Sequence, residues 1–185
     1  MKVDFFEKRN ILANETMYII PVYPEGQRNC TLIKTLTSSS LVNFHIKTVL
    51  KKYYMINNIN ESYARDSVYE FTRKKTLSTV PISSDIIFMP VKTRIPLQGE
   101  TSYGYANIRF IDNILKSDNQ ESLSKVLFND TTELFSPQSL KSLERSYVNA
   151  KLIEKNYFSK EVDEREHLEK LLEAFFLYTT KQTKE

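Results

Sequence analysis

Two runs rich in β-branched and aromatic residues, Met17 to Tyr23 and Cys30 to Leu36, flank the turn residues Pro24-Glu25-Gly26. This pairing constrains the fold most, because a period of two commits a segment to a sheet with at least one buried face. In the second run Thr31, Ile33 and Thr35 share one face, and Leu32, Lys34 and Leu36 share the other. The two runs therefore read as an antiparallel hairpin. Pro21 lacks a ladder donor and predicts an edge position or a bulge.

Ser38-Ser39-Ser40 offers an N-cap for a helix from Leu41 to about Ile56. Val42, Ile46, Val49, Leu50 and Tyr53 form its apolar stripe, while Lys47, Lys51 and Lys52 lie away from the stripe. His45 flanks the stripe. Asn57-Asn58 ends this helix, and the polar residues beyond predict no second helix at helix-turn-helix spacing. Downstream, Lys125 to Phe128 and Thr132 to Phe135 predict a hairpin around Asn129-Asp130, residues that tolerate positive φ. Ser136-Pro137 signals a helix start, and Leu140, Leu143, Tyr147, Ala150 and Ile153 carry that helix to about Asn156. A last helix, capped by Ser159 or Asp163, has Leu168, Leu171, Leu172, Phe175 and Phe176 on its apolar face. The fold class is α+β: antiparallel β hairpins forming a sheet or small barrel-like body, one internal helix and two C-terminal helices. Residues 1–158 form the body, and 159–185 form a helix packed on it or on a partner.

At 185 residues the chain is long enough to bury a core without disulfides or metal, and Cys30 is its single cysteine. Cys30 fits a small buried hydrophobe. No apolar run approaches the ~18 residues of a membrane span, and no basic-then-apolar leader opens the chain. The expectation is a cytoplasmic protein without a membrane partner. Catalytic motifs are absent from the sequence: it has no phosphate loop, no dinucleotide turn and no His-Glu-x-x-His. Cys30 with His45 or His167 would be the nucleophile–base pairing, and no spacing supports it. The chain reads as a non-enzyme with no cofactor and no metal.

The net charge of +3 hides an asymmetry: residues 41–116 carry +5 and residues 117–185 carry −3. A basic middle beside an acidic tail points to a nucleic-acid footprint more than the total does. Within it lie the cluster Arg73-Lys74-Lys75, the extended Thr79-Val80-Pro81-Ile82, the apolar strand Ile86 to Pro90, and the loop Lys92-Thr93-Arg94-Ile95-Pro96 before Gly99. The stretch closes on Tyr103 to Ile111. Read as one strand, it puts Ala106, Ile108 and Phe110 on a core face, and Tyr105, Asn107 and Arg109 on the other. That second face either presents to a partner or packs under a loop. Gly104 between two tyrosines marks a bulge or a close backbone approach.

The order of these pieces, from Ser62-Tyr63-Ala64 through Ile82, Phe88-Met89-Pro90 and the Thr93-Arg94 loop to the aromatic strand, resembles the competence transcription factor family (ComK) of Gram-positive bacteria. The resemblance continues in Val126 to Thr132 and in the helix around Leu140 to Lys155. Two positions depart from it: Arg65-Asp66 stands where the family reads Gly and a basic residue, and Tyr103 or Tyr105 where it carries a tryptophan. The resemblance implies a sequence-specific DNA-binding transcription activator that reads AT-rich promoter boxes largely through the minor groove, as a homo-oligomer on double-stranded DNA. An adaptor or protease is a further implied partner. Charge placement nominates Arg73, Lys74, Lys75, Lys92, Arg94 and Arg109 for the interface, with Arg65 and Lys51 as outer phosphate contacts. The alternative is a diverged, non-enzymatic protein-interaction module that does not bind DNA alone.

Overall fold

The structure, a computed structural model, describes residues 5–9, 11–24, 30–95, 101–119 and 122–158. Strands β1 (Thr16–Val22) and β2 (Cys30–Thr35) form the anticipated antiparallel pair, with Ile19 opposite Ile33 and Ile20 opposite Leu32. Strand β3 (Ser39–Val42) then pairs with β2. The Ser38-Ser39-Ser40 cap expected for a helix from Leu41 is therefore corrected: Ser39 and Ser40 enter a strand, and the Ser38 carbonyl accepts from the Thr35 N–H in the turn before it. Helix α1 (Ile46–Ile56) begins four residues later than Val42, at a cap formed by His45, whose Nδ1 accepts from the Lys47 N–H at 3.1 Å.

A second internal helix, α2 (Glu61–Thr72), follows α1, which the sequence reading did not foresee. Asn60 caps it by accepting from the N–H groups of Ser62 (2.9 Å) and Tyr63 (3.2 Å). Asn58 holds φ at 53° in the connection, a left-handed turn that asparagine tolerates. The two asparagines thus end one helix and start the next, and the expectation that no second helix follows at this spacing is corrected.

Strands β4 (Val80–Ser83), β5 (Ile86–Lys92) and β6 (Tyr103–Asn107) complete an antiparallel sheet of six strands in the order β3-β2-β1-β6-β5-β4. Pro21 therefore lies in an interior strand, not at an edge. Registered pairing of β1 with β6 covers Tyr18 and Ile19 and stops before Pro21, so the missing donor sits beyond that ladder. The anticipated single strand from Tyr103 to Ile111 is also corrected. A 3₁₀ turn at Ile108–Phe110 separates β6 from β7 (Ile111–Lys116), because Asn107 turns its side chain back to accept from the Arg109 N–H.

Strand β7 pairs with β8 (Ser124–Phe128), and β8 with β9 (Glu133–Ser136), giving a second antiparallel sheet of three strands. The β8–β9 hairpin is as read from the sequence, but the positive φ, 69°, falls on Thr131. Asp130 instead uses its carboxylate to hold the Thr132 N–H and hydroxyl. Ser136 belongs to β9, and the helix start moves to Ser139, whose carbonyl accepts from Ser142 and Leu143. Helix α3 spans 140–158, with Leu143, Ala150 and Ile153 fully buried as their spacing predicts. The last proposed helix, 159–185, lies outside the described residues, as does the Glu25-Gly26 part of the first turn.

Strand β5 shows how the layers are built. Ile86 and Phe88 enter a core with α1 and with Ala64 of α2, while Ile87, Met89 and Val91 enter a second core with β8, Leu134 and α3. All residues from Ile86 to Val91 are buried, as the near-continuous apolar run requires of a strand covered on both faces. The six-stranded sheet is thus a central layer, with α1 and α2 on one face and the three-stranded sheet with Leu143 and Ala150 of α3 on the other. Farther along α3, Ile153 and Tyr157 pack on Val68 of α2. Both sheets are open. A bulge between Thr16 and Tyr18 lets Met17 and Tyr18 both face the second core while Ile19 faces the first.

Candidate nucleic-acid interface

The helical face of the central sheet carries a groove of about 510 Å³. Its walls are one side of α1 (Lys47, Thr48, Leu50, Lys51, Tyr54), the first turns of α2 (Glu61, Arg65), the segment Lys75 to Val80, and Tyr105 of β6. Lys47 and Lys51 are one helical turn apart, so their ammonium groups project from the same stripe of α1. Four cations and one carboxylate line the groove. The carboxylate is engaged: Glu61 Oε1 lies 2.6 Å from Arg65 Nη2, an i,i+4 pair on α2.

Tyr54 and Tyr105 line the inner part of the groove. Burial pushes the Tyr54 hydroxyl well above its ordinary range, with Glu61 adding to the rise and Arg65 opposing it. Burial also raises Tyr105, again against the pull of Arg65. Both phenols therefore stay protonated at neutral pH, and each keeps a hydrogen to donate. Arg65 lines the same groove as both rings, with its side chain exposed.

The nominated residues separate into groups. Lys51, Arg65 and Lys75 come together in the groove. Arg73 and Lys74 stand beside Lys75 on the exposed turn that follows α2, where Arg73 takes φ 54° as the left-handed C-cap. The Arg73 guanidinium and the Lys75 ammonium lie 5.9 and 5.7 Å from the centre of the Tyr69 ring. Lys74 lines a small crevice together with Ser146 and Asn149 of α3.

Lys92, Arg94 and Arg109 do not line the groove. The Lys92 main chain fastens β5 to the segment before α3, donating to Gln138 Oε1 at 2.7 Å and accepting from Ser136 Oγ at 2.7 Å. Arg94 is half-buried, with its guanidinium 4.0 Å above the Tyr23 ring, and the Tyr23 hydroxyl is itself fixed by the Thr101 N–H. Arg109 pairs with Asp85 at 2.7 Å. Asn107, read from the sequence onto a face that either presents to a partner or packs under a loop, is fully buried.

Sequence reasoning left Lys47, Tyr54 and Tyr105 out of the nominated set. The i,i+4 spacing of Lys47 and Lys51 was a readable signal, and strand alternation set Tyr105 on the face opposite Ala106; Tyr54 had none, because only packing decides which ring edge meets the groove. Helix α2 as a whole adds no positive field, since Glu61, Asp66 and Glu70 outnumber Arg65. That composition does not suit a recognition helix against phosphates.

Cys30 is buried, and its thiol donates to Asn43 Oδ1 at 3.7 Å, consistent with a packing role. Among the described residues no three His, Cys, Asp or Glu side chains cluster as a metal site, and no helix is long and apolar enough to cross a membrane. No family model matches the chain, and neither a curated protein nor a solved structure matches it.

Proposed function

We propose that the chain is a sequence-specific DNA-binding transcription activator of the competence-regulator type, gripping duplex phosphates with Lys47, Lys51, Arg65 and Lys75. The observation that carries this reading is the convergence of these four cations from two helices and a loop on one groove. Lys75 joins that groove to the exposed Arg73-Lys74-Lys75 turn. On this reading the exposed turn enters a narrow minor groove, where an A-tract concentrates negative potential and favours an inserted arginine. Arg94 and Arg109, each engaged within the protein, are secondary candidates. Assembly as a homo-oligomer on promoter sites belongs to the same reading.

A second reading follows from the dispersal of Lys92, Arg94 and Arg109 and from the acidic balance of α2. On this reading the groove receives an acidic segment of a protein partner, and the chain is a non-enzymatic interaction module that does not bind DNA alone.

Binding to a duplex carrying A-tract and T-tract half-sites, against a GC-rich duplex of equal length at two salt concentrations, separates the two. A clear AT preference with a steep salt slope supports the activator. Equal, weak binding to both duplexes removes it in favour of the protein partner.

A further inference from the structure

A duplex can rest its phosphates on the rim of the groove, but a space of about 510 Å³ is that of a small molecule rather than of a double helix. The inner surface is nevertheless furnished. Leu50 and Val80 supply apolar contact, and Tyr54, Tyr105, Thr48 and Ser78 supply hydroxyls. A volume of about 510 Å³ falls in the range of small-molecule sites, which combine an apolar body with a few placed polar groups. Four exposed cations, together with apolar and hydroxyl side chains that are half-buried or buried, match a ligand with one polyanionic end and one flat, hydrogen-bonding end.

We propose that this groove binds a free nucleoside polyphosphate, with its phosphates against Lys47, Lys51, Arg65 and Lys75 and its base against the Leu50–Val80–Tyr105 wall. Any duplex bound to the same rim is then displaced by the nucleotide. The displacement rests on the DNA reading; the nucleotide site does not.

The test is calorimetric titration of the full chain with ATP, and separately with tripolyphosphate. It is paired with anisotropy of a labelled AT-rich duplex, with and without ATP at matched ionic strength. The site requires ATP to bind more tightly than tripolyphosphate, and Lys51→Gln with Arg65→Gln to weaken ATP by about tenfold or more. Both side chains are exposed, so the variant keeps its cores. Absence of ATP binding, binding unchanged in the double variant, or ATP no tighter than tripolyphosphate each overturns the nucleotide assignment. Duplex binding without ATP binding sinks this proposal and leaves the DNA reading standing. ATP binding without duplex binding does the reverse.

Discussion

The side-chain amide of Asn107 donates to the main-chain carbonyl of Thr16 at 3.1 Å, tying the end of β6 to the start of β1 across 91 positions of sequence. The same Nδ2 donates to the Asp85 carbonyl at 3.0 Å, and Oδ1 accepts from the Ile87 and Arg109 N–H groups. One buried amide thus serves four main-chain groups where β6 yields to the 3₁₀ turn. It is the hub from which the chain leaves the central sheet for the second one. Asn107→Ala leaves these groups without a partner, and the expected loss is about 2–4 kcal/mol, read from the urea midpoint at constant slope. A loss below 0.5 kcal/mol, the range of an ordinary surface change, would show that the main chain finds other partners.

Gly104 is fixed by its neighbours. A Cβ there would lie 2.7 Å from the Ile19 carbonyl oxygen and 2.7 Å from Ile20 Cγ2. The oxygen belongs to β1 main chain and has little freedom to give way. Gly104→Ala should therefore destabilise by about 1–3 kcal/mol through overpacking between β1 and β6. Thermal unfolding of the two proteins side by side checks it.

His45 predicts a dependence on mild acid. Nδ1 accepts from the Lys47 N–H, so the neutral ring carries its proton on Nε2 and donates to Thr101 Oγ1 at 2.9 Å. Burial, and then the Lys47 charge, lower its pKa below the ordinary imidazole value. The unfolded chain therefore takes up the proton first. The His45 contribution is present in full above the unfolded value of about 6.5 and is lost as pH falls toward and through the depressed folded value. Stability curves for the parent and for His45→Asn should converge as pH falls below that value; a pH-independent difference would contradict the assignment.

The groove and the dispersed charges should respond differently to neutralisation. Lys51→Gln and Lys75→Gln each should reduce the salt slope of duplex binding by about one contact, uniformly across sequences. Arg109→Gln, which removes a partner of Asp85 outside the groove, should leave that slope unchanged. Equal effects from all three would return Arg109 to the interface.

Arg94→Ala distinguishes packing from readout. Loss of the cation over Tyr23 should cost folding stability on the order of 0.5–1 kcal/mol. A specific role at bases would instead lower affinity for the AT-rich duplex by about 1–3 kcal/mol with stability little changed.

Much of the architecture was legible because it is written in short-range periodicity. The alternation in Cys30–Thr35, the unbroken apolar run of Ile86–Val91 and the spacing of Leu143, Ala150 and Ile153 each specify an element type and its buried face. Where boundaries moved, a local side-chain bond had two outcomes of similar appearance. The serines at 38–40 can cap a helix or enter a strand, and pairing of Ser39 and Ser40 with β2 selected the strand. Asn57 to Asn60 can end a chain of helix or both end and restart it, and the capping bonds of Asn60 selected the second.

By itself the sequence determined an α+β chain of antiparallel hairpins, the faces its strands and helices bury, and the concentration of positive charge in its middle third. Those properties follow from neighbours a few positions apart. Only the tertiary structure decided that Lys51, Arg65 and Lys75 meet Lys47 in one groove, while Lys92, Arg94 and Arg109 lie elsewhere. It alone decided, too, that Asn107 turns inward. A cation's position in space depends on how helices and loops far apart in sequence pack across the sheet, and charge carries no periodicity that records that packing.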